Sequence, residues 1–313
     1  MIDCTSMSKI LVIGGAGFIG SNLAETLVKE HQVIVVDNLF LGKEENLKDI
    51  KDEITFHNAD YTEEALMKKL ITENNIEYVY HFGGYSSAPM FEGKEVEGFD
   101  VNVLGFVGLL RACLGTSVKR VLYASTSSIY GDTEIQNEDA KVAPPNFYSA
   151  TKYSMEHAAR LFWEIYGLES IGFLFFSVYG KKEEHKGKFA NLVSQFMWNI
   201  KENTPVDIYG DGTQTRDFTY VKDIVNALSL GMNTKSKFAQ GSFYNIGTSE
   251  SYSLNDMVKI LEEELGEKAN KEYIEIPIKN YVEHTLASIE KIQKDFGYQP
   301  EFSLQKGIKD MIQ

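Results

Sequence analysis

Through the first 180 residues, short apolar runs with no polar alternation are separated by longer stretches in which apolar residues recur every three or four positions. The runs fall at residues 10–13, 33–36, 54–57, 78–82, 120–125 and 171–176. A short run without alternation suits a strand covered on both faces, as in a parallel sheet. The stretches 21–30, 62–74 and 96–114, and the one opening at Tyr148 and continuing through Met155, Ala159 and Phe162, carry helical periodicity. Strands alternating with helices predict an α/β fold: a doubly wound parallel sheet with right-handed crossovers.

Beyond Gly180 the alternation weakens. Residues 189–201 read as a helix, 206–209 as a strand, Gly210-Asp-Gly212 as a turn and 216–220 as extended chain. A helix is expected over 221–230, a buried strand over 243–246 and an amphipathic helix from 253 to 265, with Ser253 as its N-cap. This pattern predicts a smaller C-terminal α/β lobe, reached by a chain that crosses back to the first. The expected division is 1–180 plus 218–248 for the sheet domain and 181–217 plus 249–313 for the lobe. No internal repeat or low-complexity segment interrupts it.

Gly14, Gly17 and Gly20 follow the first apolar run, a helix follows them, and Asp37 ends the second run. Glycines let backbone approach a pyrophosphate closely, and a helix N-terminus offers free N–H groups and a positive dipole end. An acid about 20 residues further on is placed to accept from a ribose 2′-OH, and it repels a 2′-phosphate. The expectation is therefore a Rossmann-like domain binding NAD rather than NADP. In such sheets ligands lie beyond the carboxyl ends of the strands. Asp60, Phe82-Gly83, Ser125-Thr126 and Phe176-Ser177 all fall just after strands and converge on that edge. Tyr148 and Lys152, four apart on a helix, share a face. An ammonium close to a phenol favours phenolate and would let Tyr148 act as a base near neutral pH.

Composition narrows the class. The chain of 313 residues has 43% hydrophobic and 24% charged residues, ordinary for a globular protein, and a net charge of −14. That charge argues against nucleic acid or an anionic membrane as partner. Two cysteines, Cys4 and Cys113, argue against a disulfide framework and for a reducing compartment. No apolar run approaches the roughly 20 residues that span a bilayer. The first eight residues are polar, without a signal-peptide core, so a cytoplasmic protein is expected, with Met7 a candidate start. No metal site is expected.

Gly14-x-x-Gly17-x-x-Gly20, Asp37-Asn38, Asn102, Ser125-Thr-Ser-Ser-Ile-Tyr-Gly131 and Tyr148-x-x-x-Lys152 resemble the extended short-chain dehydrogenase/reductase family. Ile208-Tyr-Gly-Asp-Gly-Thr-Gln-Thr-Arg216-Asp-Phe and Tyr244-Asn-Ile-Gly247 narrow the resemblance to its nucleotide-sugar epimerases and dehydratases. The resemblance runs from Lys9 to the C-terminus. It implies a catalytic set of Thr126, Tyr148 and Lys152. It implies NAD contacts from Gly14, Gly17, Phe18, Ile19, Gly20, Asp37, Asn38, Phe40, Gly42, Asp60, Tyr61, Phe82, Gly83, Asn102 and Phe175, together with Tyr148 and Lys152. Ser86, Thr126, Ser177, Asn191, Leu192, Tyr209 and Arg216 are implied to hold a nucleotide sugar, UDP-linked.

The family's dehydratases follow the threonine with Asp-Glu, and its decarboxylases carry a glutamate in the second place. Here Ser127 and Ser128 stand there, and neither hydroxyl is a general acid at neutral pH. The resemblance thus implies 4-epimerisation, most simply of UDP-glucose and UDP-galactose, through a 4-keto sugar. The alternatives are a dehydratase or decarboxylase of the same fold, or a non-catalytic NAD-binding regulator. Four departures stand out. Gly83-Gly84 replace the usual alanines, which would widen the space beside the nicotinamide. Ser177 stands for an asparagine and Leu174 for an arginine. The usual C-terminal arginine is missing, with Lys279 a substitute and Glu283 unable to be one. A homodimer through the helices 96–114 and 148–166 is also implied.

Overall fold

The first apolar run forms β1 (Lys9–Ile13) in the computed structural model, which describes residues 7–133, 136–276 and 281–313. Cys4 and Lys279 lie outside the described residues. β1 pairs in parallel with β2 (Gln32–Asp37) on one side and β4 (Tyr78–His81) on the other. β3 (Ile54–Asn58) lies outside β2, while β5 (Arg120–Thr126), β6 (Glu169–Phe175) and β9 (Gln240–Ile246) extend the sheet beyond β4. The order among the described residues is β3-β2-β1-β4-β5-β6-β9, parallel at every pairing.

Alternate residues of each strand feed two separate cores, which is why the runs do not alternate with polar residues. Ile10 and Val12 pack with Leu23, Ala24 and Leu27 of α1 (Phe18–Leu27) and with Ile224 and Leu228 of α7 (Val221–Asn233). Leu11 and Ile13 pack with Met67 and Leu70 of α2 (Glu64–Asn74), Phe106 and Leu109 of α4 (Gly105–Cys113), and Met155 and Ala159 of α5 (Phe147–Tyr166). Strand order reverses direction between β1 and β4, so a crevice opens there at the carboxyl edge.

The stretch 96–114 is not one regular helix. α3 (Glu95–Phe99) passes through a π-helical segment, Asp100–Leu104, before α4. Asn102 sits in that wider turn and is buried, which is where such irregularities often place a polar side chain.

In the C-terminal lobe α6 (Leu192–Lys201) starts later than its apolar pattern suggests, because Asn191 caps it by accepting from Val193 N–H. β7 (Pro205–Tyr209) pairs in parallel with β11 (Asn270–Ile274). The extended stretch after 215 forms only β8 (Thr215–Arg216), antiparallel to β10 (Tyr252–Ser253). Ser253 caps α8 (Leu254–Leu265) in a reciprocal box with Asp256. Two helices the periodicity did not reach complete the chain, α9 (Glu290–Phe296) and α10 (Leu304–Ile312). Ile289, Ile292 and Tyr298 around α9 belong to the core of the large sheet, alongside Phe173 and Tyr244. α10 instead closes the lobe core with Leu254 and Leu261. Among the described residues no helix is long and apolar enough to cross a membrane.

Candidate active site

A cavity of about 700 Å³ lies over the carboxyl edge of the sheet. Its floor begins at the glycine turn. Gly14 adopts φ +72°, and a Cβ there would stand 2.7 Å from Gly83 N; one on Gly20 would stand 2.3 Å from Gly14 O. These two glycines are therefore fixed by backbone packing. Gly17 differs: a Cβ on it would approach only Gly14 O, and its outer side opens on the cavity. α1 starts at Phe18 with no side-chain cap and no acid in its first turn. Its free N–H groups are thus available to an anion among Gly17, Phe18, Ile19 and Gly20, all of which line the cavity.

Asp37 reaches the same cavity from the end of β2. Its carboxylate accepts from Ala16 N (3.0 Å) and Leu39 N (2.8 Å), so it is fixed before any ligand arrives. Burial pushes this carboxyl up from the usual range, opposed by bonds from Leu39, Ala16 and Gly17. Gly42 lines the cavity beside it, and a Cβ there would meet the Asp37 carboxylate at 2.9 Å. Asn38 and Phe40 form the rim; Asn38 donates to Asp60, and Asp60 also accepts from the Thr62 amide and hydroxyl. Asp60 thus caps a turn as well as lining the cavity. The set of a bare helix N-terminus, an open Gly17 and a preset acid fits the pyrophosphate and ribose of a dinucleotide.

Gly83 and Gly84 do not widen this space. A Cβ on Gly83 would stand 3.0 Å from the Tyr61 ring and 3.2 Å from Ile13, and one on Gly84 would stand 2.4 Å from Asn102 Oδ1. The room an alanine methyl would take is already filled by protein, so the glycines admit close packing. Tyr61 lines the cavity and its hydroxyl donates to Val101 O. Asn102 does not line it. Its side chain accepts from Tyr85 N (2.8 Å) and donates to Tyr85 O (3.0 Å) and Thr151 Oγ1 (3.0 Å). It therefore positions the Gly84–Tyr85 loop from behind, and any action on a cofactor is indirect.

Thr126, Tyr148 and Lys152 converge on the cavity with Ser127, Ser128 and Phe175. Asn146 and Ser149 form a capping box that starts α5 just ahead of Tyr148. The Thr126 side chain lies beside the Tyr148 phenol in the cavity and favours its ionised form. Burial outweighs this and pushes the phenol up to about 12. Lys152 does not depress it. Its Nζ donates to Ala124 O at 3.1 Å, and burial lowers its own value to about 8. Helical spacing brought the two residues onto one face, but it did not direct the ammonium at the phenol. In the protein alone Tyr148 is harder to ionise than free tyrosine.

At the far end Ser86, Ser177 and Arg216 line the cavity. Ser177 takes φ +30°, a strained value for a non-glycine residue. Leu174 is buried in the sheet core and faces no ligand. The Arg216 guanidinium lies 4.8 Å from the Tyr281 ring centre and donates to Glu283 O (2.8 Å) and to Val282 O. Glu283 thus contributes its carbonyl, where its carboxylate would repel a phosphate. Asn191, Leu192 and Tyr209 do not line the cavity. The N-terminus of α6 is instead engaged by the protein's own Glu183, which accepts from Asn191 N and Ser194 Oγ. Tyr209 packs edge-on against Tyr281, which does line the cavity. Tyr85, Lys186 and Tyr281 are lining residues that sequence reasoning missed, since loop residues carry no periodic signal.

Residues 10–247 match the NAD dependent epimerase/dehydratase family, and the chain belongs to it. A putative UDP-glucose 4-epimerase of Methanocaldococcus jannaschii is 31% identical over 97% of each chain. The crystal structure of Thermotoga maritima UDP-glucose 4-epimerase with UDP-glucose superposes with a TM-score of 0.91, at 30% identity over 97% of each chain. That of Bacillus cereus UDP-glucuronic acid 4-epimerase, with UDP-glucuronic acid and NAD, gives 0.87 at 29% identity, again over 97% of each chain.

Proposed function

We propose that this protein is an NAD-dependent UDP-sugar 4-epimerase, acting on UDP-glucose and UDP-galactose or on a UDP-HexNAc or uronate relative. The observation that carries this reading is the convergence of Thr126, Tyr148 and Lys152 on a cavity whose neighbouring side chains, Ser127 and Ser128, cannot drive elimination. When bound, NAD supplies a reversible hydride acceptor for the sugar C4. Gly17, the first turn of α1, Asp37, Asp60, Phe82 and Gly83, which all line the cavity, would hold it. Tyr148 removes the proton from the sugar 4-hydroxyl, with Thr126 hydrogen-bonding the same oxygen, and returns it after the 4-keto sugar has presented its other face. No net oxidation results. Arg216 holds the substrate diphosphate, since a guanidinium suits phosphate geometry. Because burial opposes ionisation of Tyr148, its activity as a base depends on the occupied site.

Sheet and lobe divide the work: residues 1–180 and 218–248 hold the dinucleotide, and 181–217 and 249–313 hold the nucleotide sugar. The protein acts as a homodimer in the cytoplasm. Support for the dimer is the row of exposed apolar side chains on two adjacent helical segments, Val96 and Leu104 on one, Leu161, Ile165 and Tyr166 on α5. Support for the compartment is the low cysteine content, with Cys113 a buried free thiol. Purified protein incubated with UDP-galactose, UDP-GalNAc and UDP-glucuronate in turn, and followed by NMR, tests the activity. Failure to interconvert any UDP-hexose, UDP-HexNAc or UDP-uronate would refute it.

A further inference from the structure

Tyr148, Lys152 and Glu156 stand four residues apart and share one face of α5. Each meets one of the three consecutive residues that end β5. Thr126 lies beside the Tyr148 phenol, Lys152 Nζ donates to Ala124 O, and Ser125 Oγ donates to the Glu156 carboxylate. The first two involve the expected catalytic set of Thr126, Tyr148 and Lys152; the third lies outside it. Glu156 is 3% exposed, and its Oε2 has no hydrogen-bond partner among the described residues. A carboxyl withdrawn from water with one oxygen unsatisfied is destabilising, so stability alone does not account for Glu156 at this position.

We infer that Glu156 is a positioning residue: through Ser125 it holds the end of β5 in register with α5, and its charge supports that of the Lys152 ammonium. Lys291 of α9 and Lys152 of the same helix act on it, and its charge acts in turn on Tyr123 of β5 and Tyr130 of the turn after β5. His81 of β4 faces Lys152, and Glu138 faces Lys291. Burial pushes Glu156 up to about 8 and Lys152 down to about 8, and each charge opposes the shift of the other. As pH rises through this range, the carboxylate that forms keeps the proton on Lys152. The Glu156–Lys152 pair thereby extends the charged state of Lys152 into alkaline solution.

The inference rests on the proposed 4-epimerase reading, with charged Lys152 in the catalytic set beside Tyr148, and its test separates the two. Glu156→Gln and Ser125→Ala are compared with wild type in kcat and KM for the interconverted UDP-sugar, from about pH 6 to about pH 10, across the unperturbed histidine-to-lysine range. KM is expected to stay within about twofold. In Glu156→Gln the alkaline fall of kcat moves to lower pH by about one unit; in Ser125→Ala kcat drops about tenfold. An alkaline limb coincident with wild type, or KM rising in step with the loss of kcat, overturns the inference. Should Glu156→Gln not fold, unchanged kcat in Ser125→Ala overturns it alone. Thermal unfolding of wild type, Glu156→Gln, Lys152→Met and the double variant gives a readout free of turnover. Coupling between the two sites is expected at alkaline pH, and strict additivity there overturns the inference even if wild type converts no UDP-sugar.

Discussion

Gly84→Ala separates two roles for the paired glycines. If they widened the cavity, an added methyl would alter substrate preference and leave stability alone. The geometry requires the reverse. The new Cβ would stand 2.4 Å from Asn102 Oδ1, so Asn102 must move, and its contacts with Tyr85 N, Tyr85 O and Thr151 Oγ1 are lost or lengthened. Three buried hydrogen bonds at roughly 0.5–1.5 kcal/mol each, plus about 1–2 kcal/mol for an alanine forced to φ +106°, give a loss of about 3–6 kcal/mol. For 313 residues the unfolding entropy is on the order of 0.7 kcal/mol/K, so each kcal/mol lowers the midpoint by about 1.5 °C. Thermal unfolding by circular dichroism should therefore show a drop of about 5–9 °C. Gly83→Ala, whose Cβ meets the Tyr61 ring at 3.0 Å, should cost about 1–3 kcal/mol and lower the midpoint less. An unchanged midpoint in Gly84→Ala, or the larger loss in Gly83→Ala, would refute this account of the loop.

Tyr148→Phe removes the proton carrier and should lower kcat by about 10²–10⁴ while unfolding stays within a few degrees of wild type; NMR turnover and a melting curve check both. Arg216→Met removes a guanidinium from the diphosphate end, and KM for the nucleotide sugar should rise about 10–100-fold, with the bound dinucleotide content unchanged. Asp217, fully buried, accepts from Thr248, Ser249 and Ala287, and burial nevertheless pushes it up to about 6. A raised carboxyl contributes stability that is present below its unfolded value of 3.8 and is lost as pH rises through about 6. The unfolding free energy of wild type relative to Asp217→Asn should therefore fall by about 3 kcal/mol between those limits, and a parallel pH dependence in the two proteins would contradict it.

The sheet was legible because burial on both faces leaves an unmistakable pattern; the order of its strands was not, since right-handed crossovers permit more than one. β11 was not, because its side chains are mostly exposed and its ladder depends on β7, some sixty residues earlier in the chain. Site residues that end strands were legible by position. Residues acting from behind them were not: Glu156 looks like any polar residue in an amphipathic helix until Ser125 is seen against it. The Tyr148–Lys152 spacing predicted proximity correctly and electrostatics wrongly, since a periodicity places side chains on a face but does not say which acceptor an ammonium will choose. For the same reason the Gly83-Gly84 pair read as empty space, when Tyr61 and Asn102 occupy it.

The place of β9 in the sheet bears on how the protein comes into being. β6 ends at residue 175, and its outer neighbour does not begin until residue 240, after α6, β7 and α7 have been made. The flank over β9 waits longer still, for Ile292 and Tyr298. During synthesis the dinucleotide half therefore emerges with the edge of β6 unpaired and its apolar surface bare while much of the lobe is still on the ribosome. Loop closure over so many residues slows the final pairing. A nascent chain of this design is exposed to aggregation late rather than early, and truncation within the last thirty or so residues should be felt in the large sheet as much as in the lobe.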